Sequence, residues 1–169
     1  MRDIVNEEDV IIGQATKEDV AAHNLICRVC FIMLVNSRGE LLLHQRSANK
    51  RAYPLYWSGA AAGHVISGES YQDAAQREMK EEIGVEADLE FIGKFFSKDD
   101  REMVGVFLGY YDGPIEIEPM EVEQVDYFSP ERLEQEMPRM KVTSYVERSL
   151  PLVLPRLASR SWDRRNPAG

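Results

Sequence analysis

The chain has 169 residues, which suits one domain of ordinary size. Hydrophobic residues make up 44% and charged residues 29%, a composition that predicts a packed core and excludes a disordered chain. The net charge of −9 argues against nucleic acid as a partner, because cationic side chains must replace the counterions around its phosphates. No apolar run reaches the roughly 20 residues that cross a bilayer, and the first residues lack an apolar signal core. We therefore expect a cytoplasmic protein with no membrane partner.

The first half of the chain alternates short apolar runs with turn residues. The patterns predict an N-terminal hairpin (3–5 with 10–13), a short helix capped by Thr16 (17–22), and a second hairpin (26–35 with 40–46). An irregular basic segment (46–54) and a run of small residues (58–63) follow.

The second half begins with a helix over 70–83, which Gly84 ends. It continues with two strands (86–96 and 103–111), a helix opened by Ser129-Pro130, and a final helix (143–157) interrupted at Pro151 and Pro155. This order predicts an α/β (α+β) fold with a mixed β-sheet sandwiched between helices. We predict a single domain over 1–158, with 1–25 packed on it as an N-terminal extension, and a disordered tail over 159–169.

Cys27 and Cys30, the two cysteines of the chain, spell Cys-x-x-Cys. A redox or zinc function would need a helix start or a knuckle at this position, whereas both residues lie on a predicted strand. Residues three apart on a strand point to opposite faces, so we expect the two thiols to pack separately and not to meet.

Three glutamates cluster on the helix over 70–83. At roughly 100° per residue, Glu81 and Glu82 lie within about 60° of Glu78, and Met79 and Ile83 form an adjacent apolar side. Converging carboxylates could bind a hard divalent cation. They could equally form a solvated acidic stripe, since a like-charge pair on an exposed helix costs only about 0.2–0.5 kcal/mol. The helix by itself leaves both interpretations open.

The wider spacing around this helix carries a resemblance. Gly63, five residues, Glu69, seven residues and then Arg77-Glu78-Met79-Lys80-Glu81-Glu82-Ile83-Gly84-Val85 fill every position of G-x5-E-x7-R-E-U-x-E-E-x-G-U, where U is apolar. The chain therefore resembles the Nudix hydrolases. The resemblance implies the Nudix fold and an enzyme that hydrolyses phosphorus-containing acid anhydrides, a pyrophosphohydrolase.

The same resemblance implies roles for the residues of this motif. It assigns Mg²⁺, with Mn²⁺ as the alternative, to Glu78 and Glu82 as principal ligands, Glu81 as a further ligand, and the backbone carbonyl of Gly63. Glu81 could instead be the base that activates water. Arg77 and Glu69 are implied to be the pair that ties the preceding loop to the helix.

Substrate contacts are expected from residues outside the helix. Arg46, Lys50 and Arg51 are candidates for holding phosphates, with a solvated basic loop as the alternative. Within the acidic stretch 116–123, Glu121 or Glu123 could add a catalytic base or a late metal ligand, and a solvated loop is again the alternative.

Two groups within the Nudix superfamily resemble a larger part of the chain. One comprises bacterial Nudix hydrolases with an N-terminal Val-Asn-Glu segment, and the other is isopentenyl diphosphate isomerase, which resembles the chain from about residue 3 to residue 128. The segments that carry the second resemblance are Ala21-Ala22-His23, Leu41 to Arg46, Tyr53-Pro54-x-x-Trp57, Gly63-His64 and Glu121-Val122.

The chain departs from the isomerase at functional positions. The isomerase has an acid–base cysteine directly before its Gly-His pair, where this chain has Ala62. His23 and His64 match two histidines of the isomerase metal site, Cys30 stands where we expect the third, and Glu102 matches a catalytic glutamate. These groups could contact substrate, or His23, His64 and Cys30 could bind a soft metal such as zinc.

The leading hypothesis is a Mg²⁺-dependent hydrolase that cleaves the diphosphate bond of a nucleoside diphosphate derivative or a similar X-linked diphosphate. The alternatives are an isomerase-like enzyme, which Ala62 disfavours, and a non-catalytic ligand sensor, which the complete motif disfavours. The expected partner is a small-molecule diphosphate, and the protein is expected to be a monomer or a homodimer.

Overall fold

The computed structural model describes residues 1–159. The predicted disordered tail lies outside these residues, except for its first position. The strands are Arg2–Val5 (β1), Ile11–Ala15 (β2), Cys27–Val35 (β3), Leu41–Arg46 (β4), Trp57–Ser58 (β5), Ala61–His64 (β6), Leu89–Ser97 (β7), Glu102–Tyr110 (β8) and Val122–Phe128 (β9). The helices are Lys17–Ala22 (α1), Tyr71–Ile83 (α2), Pro130–Glu136 (α3) and Ser144–Ser159 (α4), with a 3₁₀ turn at Met137–Arg139.

Strand β3 is the centre of one mixed sheet. It pairs in parallel with β8 along its whole length. Its other edge is shared by three antiparallel neighbours, β1, β6 and β4. The sheet then extends through β7 beside β8 and through β5 and β9 beside β4.

Helices cover both faces of β3, which is why its sequence is an almost unbroken apolar run. Cys30, Ile32 and Leu34 point to the side packed by α2. Phe31, Met33 and Val35 point to the side packed by α3 and α4. The α+β class and the sheet sandwiched between helices are therefore confirmed.

The N-terminal hairpin forms as predicted. Strands β1 and β2 pair antiparallel, and Ile4 pairs with Cys27, so the hairpin continues the central sheet. The Thr16 hydroxyl accepts a hydrogen bond from the Asp19 backbone N–H and caps α1.

Helix α4 runs through Pro151 and Pro155, where the sequence predicted interruptions. An internal proline costs a helix about 3 kcal/mol. Val146, Leu150 and Val153 lie one or two turns apart and are buried against the sheet, each contributing about 1.5–3 kcal/mol. Burial of this face offsets the two missing backbone hydrogen bonds.

Strands β5, β6 and β9 were not predicted. The β9 sequence, Val-Glu-Gln-Val-Asp-Tyr-Phe, has three polar residues among its first five and gives a weak strand pattern. It forms a strand because β4 supplies a continuous antiparallel partner, with Leu41 opposite Phe128 and His44 opposite Val125. Strand β6 matters most for the site, because it sets the Gly63-His64 pair beside the central strand.

Among residues 1–159, no helix has the length and apolar character needed to span a bilayer.

Candidate active site

Helix α2 carries the acidic cluster and is fixed at both ends. The Ser70 hydroxyl accepts a hydrogen bond from the Asp73 N–H, and Gly84 ends the helix in the left-handed conformation at φ 66°. Met79 and Ile83 are fully buried against the sheet, as the helical spacing predicted.

The three glutamates of α2 differ in exposure. Glu82 is 5% exposed, and the side chain of Glu78 is 14% exposed. The side chain of Glu81 is 60% exposed. The solvated-stripe alternative is therefore excluded for Glu78 and Glu82, which are withdrawn from water, while Glu81 is open to solvent.

Gly63 lies directly against this cluster. Strand β6 pairs with β3 so that Gly63 faces Cys30 across the sheet. A Cβ atom added to Gly63 would fall 2.0 Å from the carboxyl carbon of Glu78, so only glycine allows this approach. The Gly63 carbonyl accepts a hydrogen bond from the Cys30 thiol at 3.3 Å.

Arg77 joins the loop before α2 to the acidic cluster. Its guanidinium donates to both carboxylate oxygens of Glu69, at 2.8 and 3.0 Å, and to Glu78 at 2.6 Å. It also donates to the backbone carbonyl of His64 at 3.1 Å. Glu69 in turn accepts from the Ile66 N–H at 2.9 Å. The predicted Arg77–Glu69 pair is thus formed in the bidentate geometry that fixes a guanidinium and a carboxylate relative to each other.

Burial sets the electrostatics of the cluster. It raises the pKa of Glu82 to about 8, although the Ala62 backbone N–H, 3.1 Å from Glu82 Oε2, acts in the opposite direction. Burial also raises the pKa of Glu78, against the lowering effect of Arg77. The buried carboxylate of Glu82, the half-buried carboxylate of Glu78 and the backbone carbonyl of Gly63 offer hard oxygen donors, and a divalent cation would balance the charge of the two acids. The residues present therefore fit a Mg²⁺ or Mn²⁺ site.

A cavity of about 1040 Å³ opens over the cluster. Of the predicted substrate contacts, five line it: Arg46, Lys50, His64, Glu102 and Glu121. Arg51 is exposed and does not line it. Lys50 and Glu121 form an ion pair at the wall. Seven carboxylates and five cationic side chains line the cavity, which gives its lining an excess of negative charge. An anionic ligand would therefore need a bound cation to offset the repulsion.

The acidic stretch 116–123 is bound to the end of α2. The Glu116 N–H donates to the Ile83 carbonyl at 3.0 Å, and the Glu118 N–H donates to the Glu82 carbonyl at 2.9 Å. Its last two residues, Val122 and Glu123, belong to β9. The stretch is thus anchored, which brings Glu121 to the cavity, while most of its side chains stay exposed.

Several cavity residues were not predicted from the sequence. Tyr145, on α4, donates its hydroxyl to Glu102, and Tyr53 donates to Asp100 at 2.7 Å. Arg2 and Lys17 reach the cavity from the N-terminal region. Tyr53 belongs to the Tyr53-Pro54-x-x-Trp57 segment of the isomerase resemblance, the other three belong to no motif, and only the tertiary fold brings the four together.

The predicted soft-metal set of His23, His64 and Cys30 does not come together in the structure. His23 is exposed, and its ring contacts the backbone carbonyl of Asp19. Cys30 faces α2, whereas Cys27 lies on the other side of β3 with His64 and Glu102. The assignment of Cys30 to this set was wrong, because side chains alternate along the strand and only Cys27 shares the face of His64.

Residues 26–146 match the family profile described as NUDIX domain, which covers more than half of the chain. The chain belongs to the Nudix hydrolase family. An uncharacterised Nudix hydrolase of Pseudomonas aeruginosa is 37% identical over 130 residues, covering 75% of this chain and 77% of that protein. The family match begins at residue 26, so β1, β2 and α1 lie before it.

Two further proteins are similar to most of the chain. An isopentenyl-diphosphate Δ-isomerase of Serratia proteamaculans is 29% identical over 143 residues, covering 80% of each chain. The crystal structure of DR0079 from Deinococcus radiodurans superposes with a TM-score of 0.79 at 26% identity, covering 90% of this chain and 98% of that one. The predicted resemblance to both the hydrolases and the isomerase is thus found in relatives that match 75% and 80% of the chain.

Proposed function

We propose that this Nudix protein is a Mg²⁺-dependent hydrolase that cleaves the diphosphate bond of a nucleoside diphosphate derivative or a similar X-linked diphosphate. It would act in the cytoplasm on a small-molecule substrate, as a monomer or a homodimer. The observation that carries the proposal is the contact between Gly63 and the half-buried carboxylate of Glu78, beside the buried carboxylate of Glu82, in the lining of a large cavity.

Glu78, Glu82 and the Gly63 carbonyl would hold the metal, with Glu81 as a further ligand. A bound divalent cation neutralises the diphosphate and activates water for attack at phosphorus. Mg²⁺ and Mn²⁺ both prefer oxygen ligands of this kind. Glu78 and Glu82 are held for this task by burial, and Glu78 also by its hydrogen bond to Arg77.

Arg77 and Glu69 would act as positioning residues. Because Arg77 contacts Glu69, Glu78 and the His64 carbonyl, it fixes the loop that contains Gly63 relative to α2. Misplacement of a reacting group by about 1 Å can lower a rate by about 100-fold, so such fixation has a direct catalytic value.

The base that takes the proton from water would be Glu81 or Glu121. Glu81 is largely exposed and lines the cavity, so it can approach a ligand there. Glu121 also lines the cavity, although Lys50 pairs with it and reduces its availability as a base.

Arg46 and Lys50 would hold the substrate phosphates, and His64 and Glu102 would face the rest of the substrate. The cavity has the volume expected for a ligand of nucleotide size. Arg51 is left outside this set because it does not line the cavity.

An isomerase is the second candidate, since the chain shares 29% identity with one over most of its length. The resemblance requires a proton-exchanging cysteine directly before Gly63-His64. Ala62 occupies that position, and its methyl group has no proton to exchange. A non-catalytic sensor is disfavoured because a binder needs no buried pair of metal-binding carboxylates.

The test is an activity screen with purified protein over nucleoside diphosphate derivatives, dinucleoside polyphosphates and prenyl diphosphates. We expect phosphate-containing products in the presence of Mg²⁺ and none after chelation of the metal. Interconversion of the two five-carbon prenyl diphosphates without hydrolysis would support the isomerase instead. Absence of hydrolysis across the panel, with Mg²⁺ and with Mn²⁺, would overturn the proposal.

A further inference from the structure

Three side chains of different chemistry converge on the face of β3 opposite to the one that packs against α2. The ligand atoms of Cys27, His64 and Glu102 all lie within 4.8 Å of one another. Cys27 is buried, and the side chains of His64 and Glu102 are 35% and 18% exposed. His64 and Glu102 line the large cavity, and all three residues line a smaller one beside it.

The register of the sheet creates this cluster. On the parallel pair β3–β8, Cys27 lies opposite Glu102. On the antiparallel pair β3–β6, His64 lies opposite Val29. Cys27 and Val29 are two residues apart on β3, so their side chains and those of their partners share one face. Backbone pairing on three strands therefore places the three side chains on one face of the sheet.

The donor set has the chemistry of a soft or borderline metal site. A thiolate, an imidazole and a carboxylate are ligands that Zn²⁺ accepts in tetrahedral sites, whereas Mg²⁺ prefers oxygen ligands. We propose that Cys27, His64 and Glu102 form a second metal site for a thiophilic divalent cation such as Zn²⁺, separate from the oxygen-rich site on α2. Three protein ligands would leave one coordination position for water or a ligand, and two of the three, His64 and Glu102, also line the large cavity.

Neighbouring residues hold two of the ligands in place. Glu102 Oε1 accepts from His64 Nε2 at 3.0 Å, so these two ligand atoms already face each other. The Tyr145 hydroxyl donates to the other oxygen of Glu102 and orients the carboxylate. Such support for a metal ligand typically changes metal affinity by about 10- to 100-fold.

The experiment is a titration of the full chain, stripped of metal by chelation, with Cd²⁺ in the presence of excess Mg²⁺. Cadmium bound to a thiolate gives an ultraviolet charge-transfer band, and the Mg²⁺ occupies the oxygen-rich site. We expect one thiolate-bound Cd²⁺ per chain, and we expect Zn²⁺ to displace it. A wild-type chain without this band would overturn the proposal.

Cys30 supplies the matched control. Cys27→Ser should lose the band, while Cys30→Ser, altered on the same strand but on the opposite face, should keep it. A band that persists in Cys27→Ser, or that is lost in Cys30→Ser alone, would contradict the assignment. Circular dichroism checks folding. If Cys27→Ser is unfolded, His64→Ala decides, because it leaves the thiol in place and should weaken Cd²⁺ binding at least about tenfold.

The same titration in the double variant Glu78→Gln/Glu82→Gln separates this site from the proposed hydrolytic one. The band should remain, whether or not the protein hydrolyses diphosphates. Tyr145→Phe should weaken binding by about tenfold while the band keeps its position, since the tyrosine acts only through Glu102. Unchanged affinity in both Tyr145→Phe and Glu102→Gln would exclude the carboxylate as a ligand.

Discussion

The backbone of Gly63 rests against the carboxylate of Glu78, so closely that a Cβ atom at Gly63 would fall 2.0 Å from the Glu78 carboxyl carbon. This contact brings the backbone of β6 against a half-buried acid from α2. It explains why a glycine opens the motif, because any side chain there would displace the carboxylate.

Gly63→Ala should therefore lower the rate of hydrolysis by about 100-fold, since the new methyl group must push Glu78 away from its position. Steady-state kinetics at saturating Mg²⁺ measures the effect, and thermal unfolding reports the folded fraction. Gly13→Ala is the control, because a Cβ at Gly13 meets no atom within 4 Å. Equal activity of the two variants would contradict the role given to the contact.

Arg77→Lys should weaken Mg²⁺ activation by about 10- to 100-fold. Lysine keeps the positive charge but cannot bridge both oxygens of Glu69 while contacting Glu78 and the His64 carbonyl. The measurement is the Mg²⁺ concentration at half-maximal rate. Lys80→Gln serves as the control, since Lys80 is exposed and pairs with Glu86 on the outer surface. A lysine variant with wild-type Mg²⁺ dependence would show that the bridge is dispensable.

Lys50→Ala should raise KM for a diphosphate substrate by about tenfold, the loss expected for one hydrogen bond to a charged group. Lys50 lines the cavity, whereas the adjacent Arg51 does not. Arg51→Ala should accordingly leave KM within about twofold of wild type. The reverse order of effects would assign phosphate binding to the outer loop.

His44 should make the fold sensitive to acid. It is 1% exposed on β4, and burial lowers its pKa from the ordinary 6.5 to about 4, with the charges of Arg46 and Lys50 acting in the same direction. Between these two values the unfolded chain binds a proton that the folded chain rejects. His44 therefore does not lower the free energy of unfolding above about pH 6.5, and lowers it by up to about 3 kcal/mol as the pH drops to about 4.

Denaturant unfolding at several pH values checks the His44 prediction. His44→Asn keeps a side-chain N–H for the Ala60 carbonyl, which lies 3.1 Å from Nδ1 in the wild type, but does not titrate. This variant should lose less stability than the wild type between pH 6.5 and pH 4. His23→Gln, changed at an exposed histidine, should follow the wild-type curve. Parallel curves for the wild type and His44→Asn would contradict the prediction.

The parts of the fold that were predictable carry local signals. Local residues predict helix α2: Ser70 caps its start, Gly84 ends it, and Met79 and Ile83 form its apolar side. Its metal-binding interpretation required the spacing back to Gly63, because three glutamates alone are compatible with a solvated stripe. The burial of Glu82 and the partial burial of Glu78 come from packing against the sheet, which no local pattern encodes.

The parts that were not predictable depend on distant pairing. Cys27 lies opposite Glu102 because β3 and β8 pair in parallel, and no local sequence pattern predicts that pairing. Tyr145 joins them from α4, where its local pattern marks only an apolar face. The wrong assignment of Cys30 has the same origin. Cys27 and Cys30 are three residues apart on β3, so their side chains lie on opposite faces of the sheet, and choosing the wrong cysteine places the ligand on the wrong face.

The most direct test of the proposed function compares Glu78→Gln with Glu86→Gln in Mg²⁺-dependent hydrolysis of the best substrate from the screen. Glu78 is half-buried against Gly63, whereas Glu86 follows the end of the same helix, is exposed and pairs with Lys80. Glu78→Gln should lower the rate about 1000-fold, equivalent to about 4 kcal/mol of transition-state stabilisation, and Glu86→Gln should stay within about twofold of wild type. Full Mg²⁺-dependent activity in a folded Glu78→Gln variant would contradict the claim that this carboxylate cluster holds the catalytic metal.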